Sequence, residues 1–208
     1  MFSSDSIPSI WKHPFAWYSR RLDTHPILTK AITSGTIASA GDVICQYLMF
    51  SSRKGKKNES FSSCWDASRT GRFALMGAVL VAPVLHTWFT FLNNRFPGKD
   101  VTSVMKRVLL DQLLCSPLFL PTIMSFLWVL EHGVNKMDDL VDHLVKQIPS
   151  AQIVNWAVWT PAQLINFRFV AVKYQLLFGN VVALGWNTFL SFRTQQQQVE
   201  QVESDNPN

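Results

Sequence analysis

A chain of 208 residues with 48% apolar, 12% aromatic and 16% charged residues has the length of one domain and fewer charges than the roughly 25% of a soluble one. Its net charge of +5 does not indicate nucleic acid, because Lys and Arg flank apolar runs instead of forming a basic stripe with stacking aromatics; anionic lipid headgroups explain them as well. Cys45, Cys64 and Cys115 are odd in number and widely spaced, which excludes a disulfide framework or a structural zinc motif.

The chain opens with a segment, 1–13, that reads as flexible; Asp5 precedes the first Lys, Lys12, so it resembles neither a signal nor a transit peptide. Phe15, Tyr18 and Leu22 recur at helical spacing opposite Arg20 and Arg21, the pattern of a surface helix. His25-Pro26 opens the first long helix, with Thr24 as a candidate cap. Ile27 to Met49 is the weakest candidate span, since it contains Lys30 and Asp42. Ser51 to Ser63 is basic and Ser-rich and reads as an exposed loop.

Phe73 to Asn94 and Gln112 to Leu130 are long enough and uncharged enough to cross a bilayer. Phe96-Pro97-Gly98 marks the turn between these helices. Val134, Met137, Leu140, Val141, Leu144 and Ile148 form an apolar stripe opposite Asp138, Asp139, Asp142 and Lys146, a second surface helix that Pro149 should end. Gln147 to Phe167 and Tyr174 to Phe192 are further candidate spans, separated by Arg168 and Lys173, and 194–208 reads as a disordered polar tail. Residues 14–193 thus form an all-α integral membrane bundle of about four transmembrane helices plus amphipathic surface helices. The mean hydropathy of +0.10 is low for such a bundle, which calls for surface helices or a wet interior. No asymmetry of Lys and Arg predicts an orientation.

The interior polar residues are the candidate site. Asp42 shares a helical face with Gly35, Ala38, Ser39 and Gln46, and a carboxylate at membrane depth faces the bundle interior or a cavity. Gly35 and Ser39, four apart, permit close helix packing. Asp111 and Gln112 repeat the theme, with Arg107 spaced for an ion pair to Asp111. Arg69 and Arg72 enter one apolar helix, and Arg168 interrupts another. Two readings stand: a dry ion-pair network locking helices, or a hydrophilic pathway lined by Asp42, Gln46, Arg69, Arg72, Asp111, Gln112 and Arg168. Pro83, Pro117 and Pro161 either shape a cavity or hinge, or simply curve the helices.

His86 reads as a hydrogen-bonded structural residue. Glu131-His132 and Asp139 with His143 are weak candidates for a cation, without an HExxH motif. There is no Gly-rich phosphate loop and no nucleophile motif, so no enzyme, metal or cofactor is expected.

Several blocks carry a resemblance. They are Tyr18-x-x-x-Leu22-x-x-His25-Pro26-x-x-Thr29, Gly41-Asp42-x-x-x-Gln46, Asp66-x-x-Arg69-x-x-Arg72 and Pro83-x-x-His86-x-Trp88-Phe89. Further on stand Arg107-x-x-x-Asp111-Gln112 with Pro117, Trp156-x-x-Trp159-Thr160-Pro161-x-Gln163-x-x-Asn166-Phe167, and Trp186-Asn187-x-x-Leu190-Ser191. In order and spacing the chain resembles the Mpv-seventeen and twenty-two-kilodalton peroxisomal membrane protein family, from about Tyr18 to Phe192. The resemblance implies a protein of the mitochondrial inner membrane or the peroxisomal membrane. It also implies a four-span protein that forms or resembles a non-selective channel, with roles in reactive-oxygen control and mitochondrial DNA maintenance; the expectation here is a channel-like homo-oligomer that passes small metabolites or ions. A non-conducting scaffold or assembly factor is the rival expectation, and a membrane-bound enzyme a third.

Overall fold

In the computed structural model, residues 9–51 and 60–186 are described, and every element among them is helical. The elements are α1 (Ser9–Thr24), α2 (Pro26–Ser51), the single turn α3 (Phe61–Cys64), α4 (Ala67–Arg95), α5 (Val101–His132), α6 (Met137–Phe169) and α7, which starts at residue 175 and is followed to 186. Short 3-10 turns, Val134–Lys136 and Val172–Tyr174, precede α6 and α7.

Burial in this chain is inverted relative to a water-soluble core. Among the described residues the buried set holds 13 polar or charged residues and 11 apolar ones, while Leu109, Leu113, Leu114 and Leu118 of α5 are half or more exposed. A protein solvated by water hides such leucines; one solvated by lipid does not, and turns its polar groups inward. By length and apolar content, α4 and α5 each meet the requirement for crossing a bilayer. α2 and α6, with 26 and 33 residues, are also long enough to cross, at about 1.5 Å per residue.

α2 and α4 pack with their backbones close together. A Cβ on Gly77 would lie 2.7 Å from the Ser34 carbonyl oxygen, and one on Gly35 would lie 3.0 Å from that of Ala74. Small residues are therefore obligatory at this crossing. Ser39 serves the same helix differently, donating its hydroxyl to Gly35 O at 2.8 Å. At the α4–α5 turn, Phe89, Leu92, Val104, Val108 and Phe167 form an apolar cluster, with Phe89 and Phe167 edge to face at 5.6 Å. α1 lies across the end of the bundle. Leu22 is buried, Phe15 stacks on Tyr174 at 5.4 Å, and Lys173 donates to Ser19 and Asp23 at 2.8 and 3.1 Å.

Both central spans carry a widened π turn just before a proline. Met76–Val81 precedes Pro83, and Asp111–Cys115 precedes Pro117. Proline has no N–H and its ring crowds the carbonyl four residues back. Shifting the local pattern to i→i−5 relieves both problems, and the bonds Ala82 N to Gly77 O and Ser116 N to Asp111 O have that span. The prolines are thus absorbed without breaking either helix.

Several expectations need correction. α6 runs unbroken through Pro149, so the acidic surface helix and the apolar segment after it form one helix; a proline's φ suits the helix, and only one hydrogen bond is lost. α1 begins at Ser9, inside the stretch read as flexible. Thr24 does not cap α2 but donates its hydroxyl back to Arg20 O at 3.1 Å. Phe61–Cys64 is a helical turn within the predicted loop. The tail 194–208 and the end of the last apolar segment lie outside the described residues.

Candidate functional site: a chamber between the helices

The helices line a partly open chamber of about 320 Å³ whose wall is mostly apolar, interrupted by Ser34, Asp111, Gln112, Ser116, Asn155, Gln163 and Asn180. Its lining runs from Phe73 to Phe89 on α4 and from Asp111 to Leu127 on α5. Sixteen residues of helix rise about 24 Å, most of the roughly 30 Å of hydrocarbon in a bilayer. Both π turns contribute to the wall, through Met76, Gly77 and Val81 and through Asp111, Gln112 and Cys115. The prolines that require those turns therefore shape the cavity.

At the end of the bundle where α2 finishes and α4 begins, Asp42 is buried at 4% exposure. Its Oδ2 accepts from Gln46 Nε2 and Thr70 Oγ1, both at 2.7 Å. Its Oδ1 faces Arg69 Nε at 2.8 Å as an ion-pair contact without an aligned N–H. Gln46 also bridges to the next helix, accepting from Asp66 N at 2.8 Å. Asp66 in turn caps α4 by accepting from Arg69 N at 2.8 Å.

Asp111 is held by neutral donors only. Trp88 Nε1 donates to Oδ1 at 2.8 Å, while Gln112 Nε2 and Gln163 Nε2 donate to Oδ2 at 2.8 and 3.1 Å. Arg107 turns away from it and donates to Asn93 Oδ1 and, at 2.6 Å, to Gly98 O. Acid and arginine are joined indirectly, by a relay of amides. Asn166 donates to Gln163 Oε1 at 2.8 Å and to Gln175 O at 3.3 Å, and Asn93 donates to Gln175 Oε1 at 2.9 Å.

Two further buried contacts pin helices around the chamber. Asn180 Nδ2 donates to Ser34 Oγ at 2.7 Å, and Lys30 Nζ donates to His86 Nδ1 at 2.8 Å. As an acceptor, Nδ1 carries no proton, which leaves the proton of a neutral imidazole on Nε2. One acceptor in the chamber wall is unmatched: Gln112 Oε1 is buried and has no partner among the described groups.

The predicted polar residues thus fall into three places. Asp42, Gln46 and Arg69 form one cluster outside the chamber wall, and Asp111 with Gln112 forms another within it. Arg72 borders a separate cavity with Glu131. Arg168 is exposed and belongs to none of them; Phe167 beside it is buried, and a step of one residue rotates the helix face by about 100°. The sequence reading missed Thr70, Trp88, Gln163, Asn166, Gln175 and Asn180 as site residues. Among the described residues, no group of three or more His, Cys, Asp or Glu is placed to hold a metal. Trp128 stacks on His132 at 4.2 Å between ring centres and meets a tilted His143 ring at 4.9 Å.

A family model described as Mpv17 / PMP22 family matches residues 129–191. Protein sym-1 of Neurospora crassa is 35% identical over 179 residues, covering 85% of this chain and 96% of the relative. The chain belongs to the Mpv17 / PMP22 family. Other members with similar likeness are named for different membranes. The mitochondrial inner membrane protein Mpv17 of Caenorhabditis briggsae is 34% identical, covering 88% of this chain and 94% of its own length. Peroxisomal membrane protein 2 of Bos taurus is 33% identical, covering 84% and 86%. No solved structure matches the chain. Membership in a family of organelle membrane proteins agrees with the lipid-facing leucines and the polar interior.

Proposed function

We propose that this chain is a channel-like protein of an organelle membrane, passing small metabolites or ions through the chamber between α2, α4, α5, α6 and α7. The observation that carries the reading is the chamber's length: its wall follows Phe73 to Phe89 on α4 and Asp111 to Leu127 on α5, about 24 Å of rise each. In this reading the membrane is the mitochondrial inner membrane, or else the peroxisomal membrane, and copies of the chain assemble together. Solute passage would then serve mitochondrial homeostasis, including reactive-oxygen control and mitochondrial DNA maintenance. No catalytic residue is part of the proposal.

Purified chain in planar bilayers should give discrete conductance. Ala183→Phe, which places a ring in the chamber wall, should reduce it. Absence of conductance at every voltage overturns the proposal.

A second reading, a non-conducting scaffold, is favoured by one observation. The Phe89, Leu92, Val104, Val108 and Phe167 cluster packs against one end of the chamber. Solute passage therefore requires that end to open, whereas a scaffold requires nothing to move.

A further inference from the structure

A second cavity, also of about 320 Å³, lies where α4 begins and α5 ends, lined by Arg69, Arg72, Phe73, Leu127 and Glu131. Phe73 and Leu127 line the chamber as well. These two side chains are therefore the common wall between a charged cavity at the end of the bundle and the chamber within it.

The two arginines are held differently. Arg69 is fixed by Asp42 at 2.8 Å, and its guanidinium carbon lies 5.8 Å from the centre of the Phe73 ring, a cation–π distance. Among the described residues Arg72 has long contacts: Ser68 Oγ at 3.4 Å, Asp66 at 3.9 Å and Glu131 at 4.0 Å. None of these saturates a guanidinium, whose planar fork matches a carboxylate in bidentate fashion. Glu131 and Asp66 compete for the same fork, so an incoming anion is held loosely, as a conduit requires.

We propose that this cavity is an entry mouth for small carboxylate-bearing solutes. Arg72 is its binding residue, and Phe73 with Leu127 is the apolar partition such a solute crosses to reach the chamber. The inference deepens the solute-passing reading and rests on it.

The test uses Cys115, which is half-buried in the chamber wall, as a reporter. The full chain carrying Cys45→Ser and Cys64→Ser is placed in nanodiscs. It is then modified with an anionic sulfonatoethyl or a cationic trimethylammonioethyl methanethiosulfonate, each rate normalised to that of a small free thiol. Phe73→Ala should speed labelling by both reagents about tenfold, the equivalent of removing a barrier of about 1.4 kcal/mol. Leu127→Ala tests the same wall from α5 should the first variant fold poorly. Arg72→Gln should slow the anionic reagent about tenfold without slowing the cationic one, the lower end of one charge-assisted contact. Glu131→Gln should raise the anionic-to-cationic ratio.

Labelling indifferent to both Phe73→Ala and Leu127→Ala overturns the partition. An anionic-to-cationic ratio unmoved by Arg72→Gln overturns the mouth. Labelling requires no conductance, so the two proposals fail separately. A chain that conducts but ignores these substitutions keeps the conduit and loses the mouth. One that never conducts but shows the predicted labelling keeps the cavity as a binding site and loses solute passage.

Discussion

Asp42→Asn keeps the shape of the side chain and removes its charge, and its cost follows from the three contacts of the carboxylate. Oδ2 accepts two hydrogen bonds of 2.7 Å, from Gln46 and Thr70. Bonds to a charged acceptor contribute about 1.5–3 kcal/mol each and neutral ones about 0.5–1.5 kcal/mol, so neutralisation forfeits about 1 kcal/mol per bond. The new amide group also turns its own N–H donors on Arg69 or on Gln46 and Thr70, leaving one donor unmatched at about 1–3 kcal/mol. The Arg69 contact adds little, because the Arg69 side chain is 36% exposed and its charge is screened. The total is about 3–5 kcal/mol, the range expected when one partner of a buried ion pair is removed. Unfolding by dodecyl sulfate from mild detergent micelles, followed by tryptophan fluorescence, measures it. A double-mutant cycle with Arg69→Gln isolates the pair, with a coupling of about 1 kcal/mol expected. A cost for Asp42→Asn of about 0.5 kcal/mol or less, the range of an ordinary surface change, would refute the reasoning.

Other substitutions probe other parts of the structure. Gly77→Ala forces a Cβ to within 2.7 Å of Ser34 O and should cost about 1–3 kcal/mol by overpacking. Gly71→Ala, with nothing within 4 Å, should gain up to about 1 kcal/mol through helix propensity; equal effects at both sites would contradict the close crossing of α2 and α4. Trp88→Phe removes a donor to Asp111 and should cost about 1–3 kcal/mol, measured in the same unfolding assay, where a neutral result would remove Trp88 from the network. Asp100 caps α5, and the Ser103 N–H holds its carboxyl below the usual 3.8. The stability this cap adds is present above pH 3.8 and is lost as pH falls through the lower folded value. The gap between wild type and Asp100→Ala should therefore close in strong acid, and a gap that persisted there would contradict the capping role.

Much of the bundle was legible because its signals are local. Pro26 and the Phe96-Pro97-Gly98 turn mark real helix boundaries, and the uncharged runs in α4 and α5 are where the clearest spans lie. Asp42 and Gln46 were legible for the same reason, as neighbours on one helical face. What the pattern missed depends on contacts between distant segments. Gln163, Asn166 and Gln175 are ordinary surface residue types, and only the packing of α6 and α7 against α4 and α5 buries them. The i,i+4 spacing pointed Arg107 at Asp111, yet its long side chain reaches across the turn to Asn93 and Gly98 instead. Pro149 should end a helix by the breaking rule yet is tolerated inside α6, and at Pro83 and Pro117 the local change takes the form of π turns.

The central claim is that the chamber conducts small solutes, and size-graded release tests it most directly. Purified chain in liposomes should release small uncharged polyols rapidly and retain solutes too large for a chamber of about 320 Å³, with Ala183→Phe lowering the size limit. Equal retention of every solute, by wild type and variant alike, would contradict the conduit and favour the scaffold.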